Sequence, residues 1–309
     1  MVQHLTSLLD LEPSGIDQVL NEAARLKTEF KAGNRPQLFP GRVLVQLFEK
    51  PSLRTRNSFE AAVCHLGGSG IFLTTEEAGL NGRESIQDVA TVLSSYSDVI
   101  TMRTFSQKLV DDFAAISTCP VINALSDDRH PCQALTDLLT IQETFGRIKD
   151  IHLVFVGDGN NVSMSLALAA AMTGMKMTLA VPDGFRFPTA FTDLLTNQFP
   201  NAAVSQTADA KSAVADADVI YTDVWASMGQ EEEAERRKKA FADFQVNAEL
   251  MKAAPASAKF MHDLPAKRGL EVTDEVIDGP QSIVYQQAEN RMHLARGLFA
   301  WLLAENTNS

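Results

Sequence analysis

The strongest constraint in this sequence is an alternation that runs its whole length. Short β-branched runs recur at Arg42–Phe48, Asp98–Arg103, Ile151–Gly157, Lys176–Val181, Asp218–Val224 and Lys259–Leu264. Amphipathic, Ala- and Leu-rich stretches of helical length separate them, as in Ile86–Ser97, Cys132–Phe145 and Val162–Thr173. Strands alternating with helices imply parallel sheets whose faces are covered by helices. The expected class is therefore α/β.

Length decides how many sheets. At 309 residues the chain exceeds one ordinary core, and about 150 residues per domain suggests two. The run HPCQALTDLLTIQETFG reads as a helix with Pro131 in its first turn and Gly146 past its end. A second α/β unit then starts at IHLVFVG. The expectation is two lobes, each a mostly parallel sheet flanked by helices, joined by interdomain helices with a cleft between them. Residues 1–135 form the first domain, 136–287 the second, and a C-terminal helix over 288–309 folds back to complete the first. Ligands of such sheets bind beyond the C-terminal strand ends, so functional motifs should follow strands.

Charge and cysteine usage remove several classes. Lys and Arg number 27 against 39 Asp and Glu, a net charge of −12, which opposes a nucleic-acid binder needing a broad basic face. Apolar runs such as residues 166–172 fall well short of the ~20 residues needed to span a bilayer. The N-terminus lacks a basic segment followed by an apolar one and is not rich in Arg, so no targeting segment is read. Cys64, Cys119 and Cys132 are odd in number and show no metal-ligand spacing, which fits the cytoplasm. Cys64, inside SFEAAVCHL, reads as core filler. The run Gln230–Lys239 reads as a solvated helix face.

Six motifs follow strands. After RVLVQLF comes Ser52-Leu53-Arg54-Thr55-Arg56, with Ser52 suited to cap a helix. Hydroxyls, guanidiniums and free N–H groups at a helix N-terminus suit an oxyanion such as phosphate. Arg103 ends DVITMR and is a second clamp. His130-Pro131-Cys132-Gln133 follows VINAL; His130 and Gln133 offer hydrogen bonds to a small carbonyl or amide. VGDGNNV has the first two glycines of a dinucleotide fingerprint but Val162 at the third position. Asp223 in DVWASMG suits a substrate ammonium, or alternatively a helix cap. Asp263, in His262-Asp263-Leu264-Pro265, adds a second carboxylate, or alternatively serves a turn. Arg291 in the final helix, read alone, pairs with Glu289.

In order along nearly the whole chain, FEKPSLRTR, MRTF, HPCQ, GDGNN, DVWASMGQE and HDLPA…QAENRMH resemble the transcarbamylase family, and within it the branch that acts on ornithine. An aspartate-specific member would show a different segment at SMG, and HPLPR where this chain has HDLPA. The resemblance implies two α/β lobes, one for carbamoyl phosphate and one for the amino acid. It implies a homo-oligomer, usually a trimer with sites near subunit interfaces, without metal or cofactor. Ser52, Leu53, Arg54 and Thr55 would bind the phosphate. Arg103, His130, Gln133, Leu264 and Arg291 would complete the carbamoyl-phosphate site. Asn161, Asp223, Ser227 and Met228 would bind ornithine. Arg103, His130 and Asp263 would act in catalysis, and Arg83 would be a candidate contact from the loop of a neighbouring subunit.

Two positions depart from the family pattern. Leu53 stands where the ornithine branch has Thr, a residue that contributes largely its N–H. Asp263 stands where the pattern has Cys. A thiol has a reference pKa of ~8.5 and Asp ~3.9, so Asp263 would be an anion able to hold, and help deprotonate, the δ-ammonium. The implied reaction is attack of a neutral amine on the carbamoyl carbon, giving a carbamoylated product and phosphate. Competing readings are another acceptor such as putrescine or acetylornithine, a nicotinamide-dependent oxidoreductase drawn from GDGNN, and a non-catalytic member drawn from Asp263. The oxidoreductase leaves SLRTR and HPCQ unexplained. The site should gather Arg54, Arg56, Arg103, Arg291 and His130 into a cationic pocket, with the acidic balance on the outer surface.

Overall fold

The computed structural model describes residues 2–226 and 233–307. In chain order it runs α1 (Pro13–Lys31), β1 (Val43–Phe48), α2 (Leu53–His65), β2 (Ser69–Thr74), α3 (Ile86–Tyr96), β3 (Val99–Arg103), α4 (Gln107–Ile116), β4 (Val121–Leu125) and α5 (Pro131–Phe145). It continues through β5 (His152–Val156), α6 (Asn161–Thr173), β6 (Lys176–Ala180), α7 (Thr189–Gln198), β7 (Val204–Thr207), α8 (Ala210–Ala213) and β8 (Val219–Thr222). Then come α9 (Ala234–Ala240), α10 (Ala248–Ala253), β9 (Lys259–His262), α11 (Asp274–Ile277) and α12 (Val284–Thr307). Two compact units result: residues 1–139 with 289–309, and residues 140–288. The chain passes from one to the other inside α5 and returns inside α12.

The first unit holds a parallel sheet in the order β2-β1-β3-β4. One face packs Val45, Leu47, Ile100, Met102 and Val121 with Val89 and Ala90 of α3 and Val110 and Phe113 of α4. Aromatic rings from Phe39, Phe59 and Phe299 meet edge-on, so α12 contributes to the unit's packing. Gly297 of α12 lies so close to α1 that a Cβ there would stand 2.5 Å from the Ala23 backbone nitrogen.

The second unit holds a parallel sheet in the order β7-β6-β5-β8-β9. All five residues of β5 are buried, which explains their continuous apolar run. Both sheets reverse their strand order once: between β1 and β3 in the first, and between β5 and β8 in the second. Those are the switch points where an open parallel sheet offers a crevice beyond its strand ends.

Three sequence readings change here. Strands β2 and β7, the outer strands at one edge of each sheet, went unread because their half-exposed residues do not form an apolar run. Cys64 is exposed on α2 rather than core filler, whereas Cys119 and Cys132 are buried. The charged run is not wholly solvated, because Arg237 of α9 is buried. Among the described residues no helix is long and apolar enough to cross a membrane.

Candidate active site

At the first switch point the pieces come from β1, β3, α5 and α12. Ser52 caps α2, its Oγ accepting the Thr55 N–H at 3.2 Å. That fixes Thr55, buried, just past the end of β1. Thr55 Oγ1 accepts from two guanidiniums: Arg103 Nη1 at 3.3 Å from the end of β3, and Arg291 Nη2 at 2.8 Å from α12. Arg291 Nη1 also donates to Gln133 Oε1, and Gln133 Nε2 donates to Asp137 Oδ1 at 2.8 Å. Arg291 therefore does not pair with Glu289, which takes Lys31 and His293 instead.

Two buried guanidiniums at a helix N-terminus make a concentrated positive field. Its effect is visible on His130, 2% exposed. Burial, then the charges of Arg291 and Arg103, hold its imidazole well below the usual range. His130 is thus neutral, with one N–H to donate and no charge to repel a cationic neighbour. Burial also pushes the Cys132 thiol up to about 12, which removes it as a nucleophile.

The other sequence candidates of this unit are placed differently. Arg54 is half-buried in the first turn of α2. Leu53 is 74% exposed, so a larger Leu in place of Thr meets no packing penalty. Arg56 does not join the cluster: it is exposed, stacked 3.8 Å over Phe72 and 3.7 Å from Glu60. Arg83 is exposed and pairs with Glu84.

At the second switch point Asn160, Asp223, His262 and Asp263 come together from the ends of β5, β8 and β9. Asn160 caps α6, its Oδ1 accepting the N–H groups of Val162 and Ser163, each at 3.0 Å. Its Nδ2 donates to Asp223 Oδ2 at 3.0 Å. The α6 N–H groups that a dinucleotide pyrophosphate would need are therefore already engaged, which disfavours the nicotinamide reading of GDGNN. Sequence reading selected the neighbouring Asn161, whose Oδ1 accepts the Val162 N–H at 3.0 Å.

Asp223 Oδ1 accepts the Val224 N–H at 2.6 Å, and one carboxyl oxygen of Asp263 lies within 4.8 Å of one of Asp223. Burial, then the charge of Asp263, hold Asp223 well above the usual carboxyl range. Beside them His262 Nδ1 accepts the Leu264 N–H at 2.9 Å, and Nε2 faces the buried Glu271 at 3.2 Å. Leu264 pays for this turn with a left-handed φ of 59°. One atom each from Asp223, His262 and Asp263 lies within 4.8 Å of the others, a metal-like spacing. Both ring nitrogens of His262 are engaged, however, leaving two carboxyls rather than a ligand set.

Leu264 is carried by this second unit, beside Asp263. Ser227 and Met228 lie outside the described residues. Sequence reading missed Arg237, which donates to Asp158 and, at 3.0 Å, to the Trp225 carbonyl, tying together the loops after β5 and β8. It also missed Asp137, for which the one signal was its position four residues after Gln133 on a helix.

The family is decided by two matches that together span most of the chain. Residues 3–143 match the carbamoyl-P binding domain, and residues 149–302 the Asp/Orn binding domain, of aspartate/ornithine carbamoyltransferase. The chain belongs to the aspartate/ornithine carbamoyltransferase family. It is 48% identical over 304 residues to the ornithine carbamoyltransferase of Pyrococcus abyssi, covering 97% of this chain and 95% of that relative. Its fold superposes on the ornithine carbamoyltransferase structure from Pyrococcus furiosus with a TM-score of 0.93 at 46% identity, covering 96% of each chain. The anabolic ornithine carbamoyltransferase of Campylobacter jejuni is similar at a TM-score of 0.92 and 33% identity, covering 98% of this chain and all of that one.

Proposed function

We propose that this carbamoyltransferase moves the carbamoyl group of carbamoyl phosphate to the δ-amine of L-ornithine, giving L-citrulline and phosphate. The observation that carries the reading is the convergence of Arg103 and Arg291 on Thr55 at the start of α2. The N–H groups of that first turn, with Ser52, Leu53, Arg54 and Thr55, bind the phosphate. Arg103 and Arg291 draw electron density from the carbamoyl carbon and hold the charge that grows on the leaving phosphate. Neutral His130 and Gln133 hold the carbamoyl carbonyl and amide, and Leu264 contributes to the carbamoyl end.

The acceptor belongs to the second unit. Asp223 pairs with the α-ammonium, and Asn161, Ser227 and Met228 hold the rest of the amino-acid head. Asp263 stands at the reacting amine. The neutral amine attacks the carbamoyl carbon, the tetrahedral intermediate collapses, and phosphate departs. No covalent enzyme intermediate is needed, since binding energy supplies orientation. The enzyme works as a cytoplasmic homotrimer in arginine biosynthesis, a direction supported by two relatives whose names include "anabolic".

The test is a panel of ornithine, acetylornithine, putrescine and aspartate, each with carbamoyl phosphate. Citrulline from ornithine alone is expected. Product only from putrescine or acetylornithine overturns the acceptor while keeping the chemistry. Light scattering checks the trimer, expected at three times the chain mass.

A further inference from the structure

We propose that Asp137 is a positioning residue for the phosphate clamp: its carboxyl fixes which way the Gln133 amide faces, and that amide holds Arg291 on Thr55. The inference rests on the carbamoyl-phosphate half of the function proposed above and deepens it.

The backbone around Gln133 is pinned by its neighbours. In the first turns of α5, Cys132 Sγ donates to the Asn123 carbonyl of β4 at 3.4 Å, and Thr136 Oγ1 donates to the Cys132 carbonyl at 2.7 Å. The Gln133 and Ala134 N–H groups donate to the His130 carbonyl at 3.1 and 3.2 Å. The helix leaves one choice open, at the end of the side chain. A primary amide has an oxygen that accepts and an NH2 that donates, and a half-turn of its last torsion exchanges them.

Asp137 decides that choice. It stands one helical turn after Gln133, where side chains four residues apart meet, and both are buried. Asp137 Oδ1 accepts from Gln133 Nε2 at 2.8 Å. The amide oxygen is thereby turned toward the guanidinium of Arg291, from which Oε1 accepts. The opposite orientation would set the NH2 against a guanidinium that has only donors, and the carbonyl against a carboxyl oxygen. Two buried hydrogen bonds would be lost together.

The consequence falls on Arg291. Its Nη1 is tied to Gln133 and its Nη2 to Thr55 Oγ1 at 2.8 Å, where Arg103 Nη1 also donates at 3.3 Å. A guanidinium bonded through two nitrogens has its plane fixed, whereas one held by a single bond can swing about it. Two like charges meeting at one hydroxyl also repel each other. The tie to Gln133 therefore keeps Arg291 in the clamp, and Asp137 acts through that tie rather than on the phosphate.

The test measures the affinity of the full chain for inorganic phosphate by titration calorimetry, with no acceptor present. Asp137→Thr keeps the volume, but its hydroxyl turns back to the helix backbone. It should raise the dissociation constant about tenfold, the worth of one buried hydrogen bond. Asp137→Asn keeps an accepting oxygen and should stay within about threefold of the parent. In a Gln133→Met background, Asp137→Thr should add less than about twofold, because the residue through which it acts is gone. A purely structural Asp137 would not show that dependence on Gln133. Three results each overturn the proposal: Asp137→Thr binding phosphate as the parent does, Asp137→Asn as weak as Asp137→Thr, or an undiminished loss in the Gln133→Met background. Should Asp137→Thr not fold, Gln133→Glu decides instead. It sets two carboxyls face to face and should weaken phosphate binding, and adding Asp137→Asn, which supplies a donor, should recover much of the loss; no recovery overturns the proposal. A parent that makes no citrulline but shows the Gln133-dependent loss overturns the acceptor and leaves Asp137's role standing. A parent that makes citrulline while its phosphate affinity ignores Asp137 does the reverse.

Discussion

Asn160 connects a helix terminus to Asp223, the residue proposed to hold the acceptor, and two substitutions separate those roles. Asn160→Ala removes both. Loss of the α6 cap, which takes two N–H groups at 3.0 Å each, costs about 1 kcal/mol. Loss of the donor to Asp223, also at 3.0 Å, leaves a buried carboxyl short of a partner and costs about 1–3 kcal/mol. Asn160→Asp keeps an oxygen for the cap and adds an anion where a helix N-terminus favours one. It replaces the donor facing Asp223 with a like charge, which raises carboxyl pKa values further. Native carboxyls with raised pKa bind more protons than the unfolded chain, so stability rises as pH falls through the raised pKa. Urea unfolding at pH 8 and pH 5 reads the difference. Asn160→Ala should lose about 2–4 kcal/mol at both pH values. Asn160→Asp should lose a similar amount at pH 8 and recover at pH 5, with a raised KM for ornithine at pH 8. An Ala variant within about 0.5 kcal/mol of the parent, the spread of neutral surface substitutions, would refute the reasoning. So would an Asp variant whose deficit ignores pH.

Three further outcomes follow from the geometry. His293 is enclosed and held neutral chiefly by burial, with its pKa lowered to about 4. Its contribution is intact above the unfolded value of ~6.5 and is lost as pH falls toward 4, up to about 3 kcal/mol; urea unfolding across that range should show a flatter profile for His293→Phe. Gly297→Ala should lower the melting temperature despite Ala's helix preference of about 1 kcal/mol, because its Cβ would meet the Ala23 backbone; a rise would show that α1 and α12 separate freely. Arg237→Leu should destabilise by about 1–3 kcal/mol by leaving the half-buried Asp158 carboxyl without its guanidinium, and adding Asp158→Asn should recover most of it.

Legibility in the sequence followed burial. Strands β1, β3, β5, β6, β8 and β9 stood out because sheet interiors demand apolar runs. Half-exposed β2 and β7 carry Ser, Gly, Gln and Thr, residues a loop would also use. Site residues adjoining a strand end, such as Ser52, Thr55, Arg103 and Asp223, were legible by position. Arg291 was not: its nearest acid in sequence is Glu289, yet its hydrogen-bond partners lie 158 and 236 residues away. Neighbouring asparagines cannot be told apart locally either, since only the fold shows that Asn160 faces Asp223. Arg56 shared the motif of Arg54 and Thr55, but helical rotation turned it outward onto Phe72.

The return of α12 to the first unit sets an order of assembly during synthesis. Residues 140–288 are contiguous and can close their sheet once made. The earlier-made residues 1–139 cannot finish first, because Arg296, Leu298, Phe299 and Leu302 of their core are translated only after residues 140–288. Arg291 arrives with them. The segment translated first is thus the one completed last, and the pair of guanidiniums proposed to clamp phosphate at Thr55 is not whole until α12 docks.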